Sequence, residues 1–246
     1  MVTGVGRRAG IGYAVARRLL ESGASVLVQA WTPYDVESWG ADPVEADAVL
    51  AGLTRLGRVE LLQADFAEPD APAIVLDAAT AAFGHVDVLV VNHTRSGQGT
   101  LEELTADHLD QFLRENVRAS LLLVKEFAAR HDGRPGGRVV LMTSGQHIAP
   151  MASEIGYAVS KGALHQATRT LSESLIDRGI TVNAVNPGPT DTGWGIGDVD
   201  PEPAMPQGRW GEPDDAARLI VWLCTDDARW ITGQVIDSEG GFRRWA

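Results

Sequence analysis

Cysteine is nearly absent. The single one, Cys224, excludes a disulfide within the chain and sits in the apolar run Leu219-Ile220-Val221-Trp222-Leu223, where it reads as a core residue. Long hydrophobic runs are missing too: nothing approaches the roughly 18 apolar residues of a membrane span, so a soluble protein with no membrane partner is expected. Basic residues are outnumbered, 21 Lys and Arg against 33 Asp and Glu, and the formal net charge of −12 argues against nucleic acid or an anionic bilayer. A small molecule is the expected partner. No leader-peptide pattern is visible, which makes the cytoplasm the expected location. No linker or low-complexity stretch divides the 246 residues, so residues 1–246 are expected to form one domain, with no metal.

What the chain does have is alternation. Hydrophobic residues make up 44% of it, enough for a sizeable core. Apolar runs of strand length at 1–3, 25–30, 59–62, 86–91, 138–143, 181–185 and 234–237 alternate with helical patterns at 11–22, 70–83, 106–130, from Tyr157 onward, and 213–225. That order predicts an α/β fold, a doubly wound parallel sheet with helices on both faces. Ligands of such sheets sit beyond the carboxyl ends of the strands, at the switch point. Only Met1 and Val2 precede Thr3, so the first strand is short, or clipped by a start placed too late. In the second case, residues added upstream in frame raise thermal stability.

Polar residues of chemical interest follow the strands. Ser144 ends the run Val139-Val140-Leu141-Met142, and Tyr157 is followed four residues later by Lys161. On a helix those two share a face. A free phenol, with a pKa of about 10, is a poor proton donor near neutrality, and a neighbouring ammonium favours its ionised form. Lys161 is therefore expected to tune Tyr157, with Ser144 holding an oxygen between them. The same Tyr and Lys spacing occurs on ordinary amphipathic helices, and the pair alone is a weak signal. At the other end, Thr3-Gly4 and Gly10-Ile11-Gly12 open a helix directly after a strand, and glycines there let backbone N–H groups approach a pyrophosphate.

Taken together these residues resemble the short-chain dehydrogenase/reductase family over essentially the whole chain, and most closely its members similar to 3-oxoacyl-carrier-protein reductases. Gly4, Gly10, Ile11 and Gly12 look like its glycine loop, Asp65 with Phe66 its adenine-side position, and Asn92-His93-Thr94 its Asn-Asn-Ala-Gly segment. Asn116, Ser144, Tyr157 and Lys161 look like its catalytic set, and Pro187-Gly188 with Thr190 and Thr192 its nicotinamide-side turn. Ile231-Thr232-Gly233-Gln234 resembles a further signature near the end of the chain. The resemblance implies hydride transfer between a nicotinamide cofactor and a carbonyl or secondary alcohol. In it, Tyr157 is the general acid or base, Lys161 also holds the ribose, and Asn116 anchors a water that replenishes the proton. For Asn116 alone, a plain helix-interior amide is the other reading.

There are departures. Five residues, Val5 to Ala9, separate Gly4 from Gly10, where the family usually has three. Only Asn92 of the Asn-Asn-Ala-Gly segment is kept. The stretch from Trp31 to Asp42 looks longer than usual and carries Trp31, Tyr34 and Trp39. Ala30 stands where an acid would accept from the ribose of NAD, while Arg7 and Arg8 supply cations for a 2′-phosphate and Trp31 a face for adenine. NADP(H) is therefore expected over NAD(H). The opposite reading leaves both arginines in solvent and brings Asp35 to the ribose.

The substrate loop is expected at about 190–210, with Trp194 in it. His93, Gln146, His147 and Met151 are expected to face the substrate, His147 as a wall residue or a second acid-base group. A catalytically silent redox sensor of the same fold is the alternative function, which the Ser, Tyr and Lys set argues against. A sugar-nucleotide dehydratase or epimerase would need a larger lobe after Pro187. The apolar stripe Leu109, Phe112, Leu113, Val117, Leu121 and Val124 fits a homodimer or homotetramer, or simple core packing, and the tail from Phe242 is placed to reach a neighbour.

Overall fold

A computed structural model describes residues 1–193, 196 and 199–245. Six strands and eight α-helices alternate along the described residues, and every strand pairing is parallel. Strands β1 (Val26–Ala30) and β2 (Val59–Gln63) pair from Val26 with Val59 to Ala30 with Gln63. Strands β3 (Val88–Val91), β4 (Gly137–Met142), β5 (Ile180–Asn186) and β6 (Val235–Asp237) run in that order. Val2 joins the two groups, bridging Val28 on one side and Val90 on the other. The expected first strand is thus present as a short central link.

Side-chain alternation divides the core. On one face Leu27, Leu89, Val91, Leu141 and Val182 pack with Leu123 and Phe127 of α6 (Ala119–Arg130) and Val75 and Leu76 of α4 (Ala71–Phe83). On the other, Val2, Val28, Val90, Val140 and Val185 pack with Val15 and Leu19 of α1 (Ile11–Glu21) and Ile220 of α8 (Pro213–Leu223). Strands covered on both sides are buried at every residue, as β4 and β5 are. Each fully buried Leu or Phe contributes about 1.5–3 kcal/mol, so the two layers together hold the sheet rigid beneath the loops that carry function.

Three elements differ from the sequence expectation. Helices α2 (Thr32–Trp39) and α3 (Glu45–Thr54) fill the stretch after β1. The first buries no residue, so it has no apolar stripe by which to recognise it. The helix expected over 106–130 is interrupted: α5 (Ala106–Phe112) passes through a π-helical turn, Leu113–Arg118, before α6 begins. Such turns concentrate at functional sites, and Asn116 lies in this one. Helix α7 (Ile155–Leu175) starts where the chain is pinned to Gly99, whose N–H donates to Ser153 O at 2.7 Å and whose carbonyl accepts from Ile155 N at 3.2 Å.

Candidate active site

The loops after the strands meet around one cavity of about 440 Å³. It runs from Trp31, Asp65 and Phe66 at one end to Ser144, Tyr157 and Lys161 at the other. Gly4, Gly10 and Ile11 line its middle. Gly4 has φ +70°, and a Cβ there would stand 2.7 Å from His93 Cα; one on Gly12 would stand 2.6 Å from Gly4 O. Gly12 does not face the cavity. Its role is to let α1 seat against the loop, and Gly10 caps that helix with no side-chain bond, leaving its first N–H groups directed at the cleft. A cradle of this shape fits the pyrophosphate of a dinucleotide.

The two arginines of the loop part company. Arg7 lines the cleft, with its guanidinium 4.0 Å from the Trp39 ring centroid, 2.7 Å from Thr192 O and 3.9 Å from the Asp35 carboxylate. Arg8 turns outward and donates two hydrogen bonds to the Glu45 carboxylate at the start of α3, 2.9 and 3.1 Å, and takes no part in the lining. The cofactor role expected of Arg8 is therefore not met; Glu45, on the unanticipated α3, captures it. Asp35 is pushed up to about 6 by burial, with Arg7 opposing the rise.

At the Trp31 end of the cleft Asp65 turns back to accept from Ala67 N at 2.8 Å, and the Phe66 ring lies tilted with its centroid 4.2 Å from that of His93. Asn92 Nδ2 clamps the glycine loop through Thr3 O and Gly4 O at 3.1 and 3.0 Å. His93 is committed on both nitrogens. Nε2 meets the Glu115 carbonyl at 3.1 Å, so it carries the proton, and Nδ1 then accepts from Thr3 Oγ1 at 2.9 Å. Burial, then the charge of Lys161, lowers His93 to about 3, keeping it neutral. His93 is thus a wall of the cleft with no nitrogen left for a substrate, contrary to its expected role.

Ser144, Tyr157 and Lys161 are brought together as the spacing implied. Burial raises the Tyr157 phenol to about 12; a hydrogen bond with Ser144 acts in the opposite direction, and the charge of Glu154 adds to the rise. Lys161 is 2% exposed, drops to about 7 through burial, and donates from Nζ to Met142 O at 3.0 Å. Its Nζ is 5.6 Å from the Tyr157 ring centroid. The ammonium was expected to set the phenol's acidity; in the fold, burial acts on both groups and pushes both toward their neutral forms. Asn116 is fully buried, and its Nδ2 is used by Arg95 O and Ser160 Oγ, both at 2.9 Å, while Oδ1 accepts from Arg95 N at 2.6 Å. It ties the loop after β3 to α7.

Met151, expected to face the substrate, and Pro187, Gly188, Thr190 and Thr192, expected at the nicotinamide, all line the cleft. Gln146 and His147 do not. Gln146 accepts from Ser144 N at 3.1 Å and so fixes the serine loop, whereas His147 faces Asp237 at 3.1 Å and stacks on His165 at 4.6 Å. Both leave the substrate set because the short helical turn 145–147 points them along the protein rather than across the cleft. Trp194 lies outside the described residues. The sequence reading missed Tyr34, which accepts from Ser96 N at 2.8 Å across the mouth, and the tail residues Phe242 and Arg244, which fold onto their own cleft. The cue to Tyr34 was the aromatic cluster after β1.

Among the described residues, no helix is long and apolar enough to cross a membrane. The sequence profile described as Enoyl-(Acyl carrier protein) reductase matches residues 4–243. An uncharacterized oxidoreductase of Bacillus subtilis, YjdA, is 37% identical over 99% of this chain and 96% of its own. The versicolorin reductase stcU of Emericella nidulans is 32% identical over 98% and 94%. The crystal structure of a short chain dehydrogenase from Burkholderia cenocepacia in complex with NADP superposes with a TM-score of 0.85, at 35% identity over 98% of this chain and 95% of that one. Profile, relatives and structure agree with the geometry of the cleft: the chain belongs to the short-chain dehydrogenase/reductase family of oxidoreductases.

Proposed function

We propose that this protein interconverts a ketone and a secondary alcohol, using NADP(H) in preference to NAD(H). The observation that carries the reading is the meeting of Ser144, Tyr157 and Lys161 at one end of a cleft whose middle is lined by glycines. A nicotinamide cofactor supplies and accepts the hydride. Ser144 and Tyr157 hold the carbonyl oxygen, and Tyr157, protonated up to about 12, is the proton donor to it. Lys161, with Nζ fixed on Met142 O, binds at the sugar hydroxyls beside the reacting atoms. Gln146 and Asn116 are positioning residues, the first for the Ser144 loop and the second for the junction with α7.

Preference for NADP(H) is supported by Ala30 at the end of β1, by Arg7 in the cleft, and by the NADP and NADPH held in related structures. Asp35 beside Arg7 opposes it, and the balance is what a kinetic comparison of the two cofactors reads. We take residues 1–246 as one dinucleotide-binding unit with its substrate loop at about 190–210, in the cytoplasm. Leu121 on α6 and Val159 on α7, 36% and 50% exposed, support a homodimer or homotetramer through those helices, which gel filtration tests. The function is tested by following NADPH and NADH oxidation over 3-oxoacyl thioesters, cyclic ketones and keto-sugars; turnover of none of them overturns it.

A further inference from the structure

The end of the chain builds part of the substrate site. At the end of β6 and just past it, Asn186 Nδ2 holds the carboxylates of Asp237 and Glu239 at 2.8 and 2.7 Å. Glu239 passes so close to Gly188 that a Cβ there would stand 2.8 Å from its Cα. Arg243 N then donates to Ala204 O at 2.8 Å, tying the arm to the substrate loop. Arg244 comes down on Gly145, the residue after Ser144: a Cβ on Gly145 would stand 2.3 Å from its Nη2. Two glycines thus make room for this arm.

The guanidinium is held but not used up. Nη2 bonds Glu239, and the Phe242 ring lies 4.8 Å away, while Nη1, which would stand 2.8 Å from a Cβ on Gly145, makes no hydrogen bond among the described residues. That unused donor, next to Gly145 in a residue that lines the cleft, is within the space a substrate held by Ser144 would occupy, and an acceptor there would pair it. That partner is uncharged. Glu239 already neutralises Arg244, and Glu154, half-buried in the same cleft, adds a second negative charge, so an anion entering here would meet two carboxylates.

We propose that Arg244 determines specificity by donating a hydrogen bond to a second, uncharged acceptor oxygen of the substrate, next to the carbonyl held by Ser144 and Tyr157. The inference rests on the ketone-reducing reading of the cleft. Its test compares pentane-2,4-dione with pentan-2-one, in kcat/KM and in quenching of tryptophan fluorescence on binding to the protein with its nicotinamide cofactor. The wild type is expected to favour the dione by about 10- to 100-fold, the worth of a hydrogen bond to a charged donor. Arg244→Met is expected to bring that ratio close to one. Arg244→Lys keeps the pairing with Glu239 and guards against a misfolded Met variant; it is expected to lose most of the preference with the planar donor fork. A preference unchanged in either folded variant, or absent from the wild type in both turnover and binding, overturns the proposal. If the wild type turns over no ketone, the reading of function fails instead, and the binding ratio still decides the role of Arg244.

Discussion

Asp35 occupies the space that a side chain on Gly6 would need: a Cβ there would stand 1.8 Å from Asp35 Oδ2. The carboxylate lies against the glycine loop with Arg7 3.9 Å away, so an anion and a cation stand together at the end of the cleft proposed for the adenosine. Asp35→Asn is expected to raise the ratio of kcat/KM for NADPH over NADH by about tenfold, and Arg7→Ala to lower it by a similar factor. Steady-state kinetics with both cofactors reads both changes.

The same carboxyl gives a stability signature. Burial raises it to about 6, so the native state binds this proton more tightly than the unfolded chain, and stability falls as pH rises from about 4 to about 6. Asp35→Asn removes that loss. The stability of the variant relative to wild type is expected to grow across this interval by on the order of 1–2 kcal/mol and to level off above about 7. Urea melts at pH 4.5, 6 and 7.5 measure it.

A depressed carboxylate acts with the opposite sign. Asp214, in the first turn of α8, binds Arg18 at 2.6 Å and Arg17 at 2.7 Å, both on α1, and is lowered to about 2, chiefly by the Arg18 bond. Its stabilisation is present above the ordinary carboxylate pKa and disappears as pH falls through about 2. With the pair partly exposed, Asp214→Ala is expected to cost about 1 kcal/mol at pH 7, or roughly 2–4 °C in Tm, and almost nothing near pH 2. Calorimetry at the two pH values checks this.

Direction and pH are linked through Tyr157. Reduction needs the phenol's proton, retained up to about 12, whereas oxidation of an alcohol needs the phenolate. Between pH 7 and 9, log kcat/KM for oxidation is expected to rise with a slope approaching one while that for reduction does not rise. Equal slopes in both directions would remove Tyr157 as the titrating group.

The sequence made legible whatever depends on local pattern. Unbroken apolar runs marked β3 and β4, and the four-residue spacing of Tyr157 and Lys161 placed both on one face of α7. Contacts between distant segments were out of reach. Arg8 was expected at the cofactor and is held by Glu45, 37 residues away; His147 was expected at the substrate and is turned to Asp237, 90 residues away. Helix α2 lacks any buried residue to give it a period, and the π turn around Asn116 looks in sequence like plain helix. The acidity of Tyr157 was read from its charged neighbour alone, but burial is a property of the whole fold and it dominates.

The central claim is that one phenolic proton is delivered in the cleft, and Tyr157→Phe tests it most directly. Single-turnover and steady-state reduction of a ketone accepted by the wild type should fall by roughly 10²- to 10⁴-fold, with NADPH binding by fluorescence titration unchanged. Turnover within a few fold of wild type, with cofactor still bound, would contradict the account.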